Sequence, residues 1–331
     1  MGVERVQTLA NGELNELPAQ FIRPAHERPE NTEAIEGLTV PVISLSQPHD
    51  VLVKEVSRAC SEWGFCLITD HGIPESLIQR LQMVGQEFFK LPQKEKEAYA
   101  NDPSNGKFEG YGTKMTKNHD DKVEWLDYFF HLMSPPSKVN YSFWPQKPSS
   151  YRETTEEYNK EILRVTDELL QLLSEGMGLE GNVLKSHLGG EDIEVEMKIN
   201  MYPPCPQPQL VLGVEPHTDM SAITILVPND VPGLHVWKDE KWVAVNYLPN
   251  ALLVHIGDQV EILSNGKYKS VLHRSIVNKD RMRMSWAVFC APPHEALIGP
   301  VPALVDDQNP EKYSTKTFAE YRFRKFNKLP Q

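Results

Sequence analysis

After residue 195, short apolar runs recur with turn signals between them, and this constrains the fold more than any other feature of the chain. The runs are 195–202, 222–227, 234–237, 242–245, 251–256, 268–277 and 284–290. Pro203-Pro204, Pro232-Gly233, Asn265-Gly266 and Pro292-Pro293 punctuate them. Many short strands at regular spacing predict a β-sandwich or barrel.

The first 195 residues read differently. A polar arm with scattered Pro and charge, 1–38, is expected to be irregular. A short strand is predicted over 40–45, a helix over 51–63 and a buried strand over 64–69. Pro74 starts the next helix, and Leu91-Pro92 breaks it. The stretch 101–122, rich in Gly, Asn and Lys, reads as a loop. An aromatic strand over 125–132 ends at Pro135-Pro136. A long amphipathic helix over 151–177 carries Tyr158, Ile162, Val165, Leu169, Leu172 and Leu173 on one face, and a short helix over 317–326 closes the chain. The expected class is α+β. An N-terminal helical region with arm and flanking strands (1–195) packs as one integrated unit on a β-rich core with a C-terminal helix (196–331).

Charge and cysteine usage narrow the partners. A formal net charge of −12 opposes nucleic acid phosphate and anionic membrane, so neither is an expected partner. Cys60, Cys66, Cys205 and Cys290 form no C-x-x-C pair, which favours reduced thiols over a disulfide framework or a zinc finger. The N-terminus lacks a secretory apolar segment, and no apolar run approaches a membrane span. The expected location is cytoplasmic.

Within the β-rich half, His217-Thr218-Asp219 is an H-x-D pair. On a strand, residues two apart share a face, so both side chains can address one point. His273 follows in the run 268–277. Two imidazoles and one carboxylate that leave coordination positions open make the facial triad of non-haem Fe(II) oxygenases. Taken alone, an H-x-D pair in a chain with eleven histidines is a weak signal. Arg283-Met284-Ser285, ten residues after His273, adds weight. Its guanidinium can take a carboxylate bidentately, with Ser285 on the same side. It supplies the local positive charge that a dianionic cosubstrate needs in an acidic protein. Asn200 and Tyr202 form a third pair two apart, on the strand before His217.

At these residues the chain resembles the plant 2-oxoglutarate-dependent dioxygenases. The H-x-D…H, R-x-S and N-x-Y patterns match in order and approximate spacing, and Trp63-Gly64-Phe65 and the stretch Asp70 to Pro74 belong to the same resemblance. Within that family it most resembles the flavonol synthase group. The arm 18–29 is similar to that group's N-terminal motif, with Arg28 where Gln is usual. The stretches 205–210, 221–228 and 255–268 match as well. The resemblance implies a double-stranded β-helix (jelly-roll) core, with Fe(II) on His217, Asp219 and His273. It implies 2-oxoglutarate held by Arg283, Ser285, Tyr202 and Asn200, and ascorbate as accessory reductant. O2 and a small aromatic molecule would be the substrates of a monomeric enzyme, with Tyr128, Phe130, Lys198 and Phe289 lining the flavonoid site.

Two positions depart from the pattern. Flavonol synthases usually carry His at Tyr128 and Glu at Ala291, and Tyr128-Phe129-Phe130 is closer to the anthocyanidin synthase version. Losing two hydrogen-bonding groups from a polyphenol pocket bears on substrate choice. Competing readings are the same chemistry on another phenylpropanoid, alkaloid or hormone, an ascorbate-using relative that dispenses with 2-oxoglutarate, and a non-catalytic jelly-roll binding module.

Overall fold

The computed structural model describes residues 4–12, 14, 16–29, 39–113 and 122–331. The polar arm is less irregular than its composition predicts, because it contains α1 (Val6–Asn11). The buried carboxylate of Asp127 accepts from the Val6 N–H at 3.0 Å and the Gln7 N–H at 2.8 Å. These are donors that the first turn of a helix leaves unpaired. Proline sets the start of the next three helices. Pro48, Pro74 and Pro92 cap α2 (His49–Glu62), α3 (Glu75–Lys90) and α4 (Gln93–Glu97), just ahead of the first turn. The long helix is α5 (Tyr151–Glu175), followed by α6 (Val183–His187), α7 (Asp258–Leu263) and α8 (Phe318–Phe326). At six residues, α7 is too short to show a helical period in the sequence.

The strands fall into two main sheets. The larger has eight strands in the order β1-β2-β10-β7-β12-β5-β4-β3, and the smaller has four in the order β6-β11-β8-β9. Their ranges are β1 Val42–Ser44, β2 Phe65–Thr69, β3 Gly110–Thr113, β4 Asp127–Ser134, β5 Glu194–Tyr202 and β6 Val214–His217. The remainder are β7 Ile223–Pro228, β8 Leu234–Lys238, β9 Lys241–Ala244, β10 Leu252–Ile256, β11 His273–Ser275 and β12 Arg283–Ala291. Together they form the expected jelly-roll. A division at residue 195 falls inside β5, and the larger sheet takes strands from both sides of it.

Two local expectations change. The stretch 101–122 is not all loop: its residues 110–113 form β3, paired with β4, while 114–121 lie outside the described residues. The run 268–277 yields only the three residues of β11. Its first half is drawn to the helices, where the Tyr268 hydroxyl donates to the Leu173 carbonyl at 2.7 Å and the Lys269 N–H to the Cys60 carbonyl at 3.0 Å.

Alternation on the larger sheet separates two environments. One face (Met197, Ile199, Ile223, Ile225, Val254, Trp286 and Val288) packs with residues of α2, α3 and α5 into the main core. The opposite face meets the smaller sheet. At one end it is apolar, with Phe65, Leu67, Leu226 and Leu253 against Leu234 and Val236. At the other end that same face carries the polar side chains of the site. Among the described residues no helix is long and apolar enough to cross a membrane. All four cysteines are free and buried.

Candidate metal centre

His217 and His273 meet because β6 and β11 are antiparallel neighbours with these two residues in register. Asp219 is not on the strand as expected. It lies two residues past the end of β6, fixed by its carbonyl, which accepts from the Asp258 N–H at 2.9 Å. The Nε2 atoms of His217 and His273 each lie 3.7 Å from Asp219 Oδ1. One ligand atom from each of the three residues falls within 4.8 Å of the others.

The donor set fits a metal ion. Nδ1 of His217 is 2.8 Å from the Glu215 carbonyl and Nδ1 of His273 is 3.2 Å from the Val271 carbonyl. A carbonyl only accepts, so each Nδ1 carries the proton and each Nε2 presents a lone pair toward Asp219. Asp219 Oδ2 is buried and lacks a hydrogen-bond partner among the described residues. Burial raises the Asp219 pKa, while its imidazole neighbours His273, His217 and His255, where protonated, lower it, and the balance falls to about 2. The carboxylate is therefore an anion at neutral pH.

Sequence reasoning quoted His255 only as part of a matching stretch and gave it no role. It lies in β10 with its Nδ1 3.9 Å from Asp219 Oδ2 and its ring 4.7 Å from that of His273. It is buried, with neither ring nitrogen hydrogen-bonded among the described residues, and desolvation lowers its pKa to about 3. A neutral imidazole there packs behind the trio without adding charge. Its strand position, inside an apolar run, was the available signal.

Register also assembles a candidate anion site. Along β12 and β5, Arg283 pairs with Tyr202 and Ser285 with Asn200. Arg283 and Ser285 are not outward-facing: each is 1% exposed. The Arg283 Nη2 donates to the Tyr247 hydroxyl at 2.9 Å, and the guanidinium stands 4.8 Å over the Tyr202 ring. Among the described residues its Nε and Nη1 are buried without a partner, as is Asn200 Oδ1. Unpaired donors on a buried cation are costly, and an incoming carboxylate would satisfy them. Gly233 makes room for this side chain, since a Cβ there would sit 2.8 Å from Arg283 Cδ. Tyr247 carried no pattern and was missed.

The aromatic residues lie on the same face. Tyr128 pairs with Asn200, Phe130 with Lys198, and Phe289 with Glu196. The Lys198 ammonium sits 4.5 Å over the Tyr128 ring, and the Tyr128 hydroxyl accepts from Asn101 at 2.9 Å. Tyr128, Phe130, Lys198 and Phe289 are all half-buried, between neighbours that are fully buried.

Comparison with known proteins agrees with this geometry. Residues 194–292 match the 2OG-Fe(II) oxygenase superfamily, and 40–147 match the N-terminal region described as non-haem dioxygenase in morphine synthesis. Flavonol synthase 1 of Crocosmia x crocosmiiflora is 53% identical over 334 residues, covering 100% of both chains. The chain belongs to the 2OG-Fe(II) oxygenase superfamily. Members of this superfamily are dioxygenases that use Fe(II) and 2-oxoglutarate, so the chain is an enzyme and not a binding module. A leucoanthocyanidin dioxygenase of Perilla frutescens is 44% identical, over 96% of this chain and 92% of its own. Among solved structures, JOX2 in complex with 2OG, Fe and JA is 38% identical with a TM-score of 0.92, covering 100% of this chain and 96% of its own.

Proposed function

We propose that this oxygenase is of the flavonol synthase type and introduces the C2–C3 double bond of a dihydroflavonol. The full-length identity of 53% to a flavonol synthase carries this reading. The half-buried aromatic face beside the trio supports it. In this reading His217, Asp219 and His273 hold Fe(II), which supplies O2 activation coupled to oxidative decarboxylation of 2-oxoglutarate. Overall, the dihydroflavonol loses two hydrogens. 2-Oxoglutarate becomes succinate and CO2, one oxygen atom enters succinate and the other leaves as water.

The chain's own residues supply placement. Arg283 and Ser285, with Tyr202 and Asn200 across the ladder, hold the far carboxylate of 2-oxoglutarate. Phe289 and Phe130 offer flat surfaces for aromatic rings. Lys198 is placed to meet a carbonyl or phenolate of the substrate. The protein's task is to fix the target C–H bonds against the metal and exclude other reactions. Ascorbate as accessory reductant, a monomeric state, a cytoplasmic location and action of 1–195 with 196–331 as a single unit complete the reading.

Incubation with Fe(II), 2-oxoglutarate and a dihydroflavonol should give equal amounts of succinate and a product two hydrogens lighter by mass spectrometry. A product carrying an added hydroxyl instead would favour the anthocyanidin-synthase-like reading that Tyr128 supports. No conversion of any flavonoid would leave the superfamily chemistry standing and reject the substrate.

A further inference from the structure

We propose that Glu196 is a substrate-recognition residue whose carboxyl hydrogen-bonds a phenolic hydroxyl on the part of the substrate remote from the metal. This rests on the flavonoid reading above and extends it to a residue with no other assignment. The argument begins with register. Reading across the larger sheet on its inter-sheet face, His255 pairs with Thr224, Thr224 with Phe289, Phe289 with Glu196 and Glu196 with Leu132. His255 is the residue packed behind the metal trio. Glu196 lies three strands away, at about 4.8 Å per strand. A flat molecule lying along this row over Phe289, with its reacting carbon at the metal end, brings its far edge to Glu196.

The side chain has no structural employment. Glu196 is half-buried on the face that also carries Lys198 and Asn200, and among the described residues it makes no hydrogen bond or ion pair. By contrast, its neighbour Glu194 is bridged to Lys138 at 2.7 Å. The charged groups around Glu196 come from three elements. Arg322 of α8 favours its anion, while Glu194 of β5 and Glu109 ahead of β3 oppose it. Arg322 is itself held by His294, at 2.8 Å. Glu109 accepts from the Leu132 N–H at 2.9 Å. Desolvation dominates and pushes the Glu196 pKa up to about 7. A carboxyl that titrates near neutrality can accept from a phenol or donate to one, which suits a polyhydroxylated aromatic. A carboxyl with no partner between Phe289 and Leu132 discriminates by what it loses when the hydroxyl is absent.

The test uses the Fe(II)- and 2-oxoglutarate-loaded enzyme, anaerobically for binding and aerobically for turnover. The ligands are dihydroflavonols lacking, one at a time, each hydroxyl of the pendant and fused rings. The wild type should bind one of these analogues about tenfold more weakly than the parent, with the loss in KM more than in kcat. Glu196→Leu should bind that pair equally, and Glu196→Gln, nearly isosteric and the second arm should the leucine variant fold poorly, should keep part of the preference. If both variants keep the wild-type preference at every hydroxyl, Glu196 is not the recognition group. If the wild type binds dihydroflavonols without preferring any hydroxyl, the inference also fails while the flavonoid reading survives. If the wild type binds no dihydroflavonol, the flavonoid reading fails and takes this inference with it.

Discussion

The inter-sheet face holds two candidate sites built in contrasting ways. At the metal end, His273, Arg283 and Ser285 are buried and positioned by strand pairing, buried Asp219 is held by the Asp258 N–H, and His217 alone of the trio is half-buried. At the proposed substrate end, Tyr128, Phe130, Lys198, Phe289 and Glu196 are half-buried, and Lys198 rests on the Tyr128 ring. The contrast matches the two tasks. A metal and a dianion need donors fixed in advance, because a loosely held ligand set loses affinity for both. A polyphenol offers large flat faces and a few hydroxyls, and side chains at strand positions can be exchanged there without disturbing the ladder. Ala291 stands where related pockets usually have Glu, and Glu196 places a carboxyl on the adjacent strand.

Substitutions should separate the two ends. Asp219→Ala removes the anionic ligand and should lower turnover by about three orders of magnitude or more, the several kcal/mol that a bound metal contributes. Iron content by elemental analysis should fall with it. Near-normal iron and turnover would sink the ligand assignment. Arg283→Lys keeps the charge and loses the planar fork, so the KM for 2-oxoglutarate should rise about ten- to a hundred-fold. An unchanged cosubstrate requirement would count against Arg283. Phe289→Ala should act at the other end only, raising the KM for the flavonoid about tenfold and leaving that for 2-oxoglutarate alone. If both KM values move together, the two ends are not separable.

The smallest effect tests the alternation itself. His131 lies on β4 between Phe130 and Leu132, turned to the helix side, where its Nε2 meets the Tyr151 hydroxyl at 2.9 Å. Burial lowers its pKa from an ordinary 6.5 to about 3. In the unfolded chain it takes up a proton first, so the stability of the neutral buried form is full above pH 6.5 and drains away as pH falls toward 3. The slope it contributes is at most about 1.4 kcal/mol per pH unit. His131→Gln should flatten the pH dependence of unfolding by urea between pH 6.5 and 5. An unaltered slope would place His131 in solvent.

The difference between the two ends also explains what could be read from the sequence. Residues two apart on a strand share a face, so Arg283 with Ser285 and Asn200 with Tyr202 are visible as pairs. Their union into one site depends on the register of β5 against β12, which no local pattern encodes. Asp219 was found by an argument that assumed a strand, although it sits in the turn after β6. The pair works because the turn folds back, held through Asp258. His255 and Tyr247 come from separate elements and carry no spacing signal. Glu196 looks like any polar residue on an alternating strand until its neighbours across the sheet are known.

The central claim is that one face would hold iron, with 2-oxoglutarate toward Arg283 and Ser285 and the substrate toward Phe289. A crystal structure grown anaerobically with an Fe(II) surrogate, 2-oxoglutarate and a dihydroflavonol tests it most directly. The account predicts metal on His217, Asp219 and His273, the far carboxylate of 2-oxoglutarate on Arg283 and Ser285, and the flavonoid over Phe289 reaching Glu196. Metal bound elsewhere, or a carboxylate that leaves the Arg283 guanidinium unpaired, would contradict it.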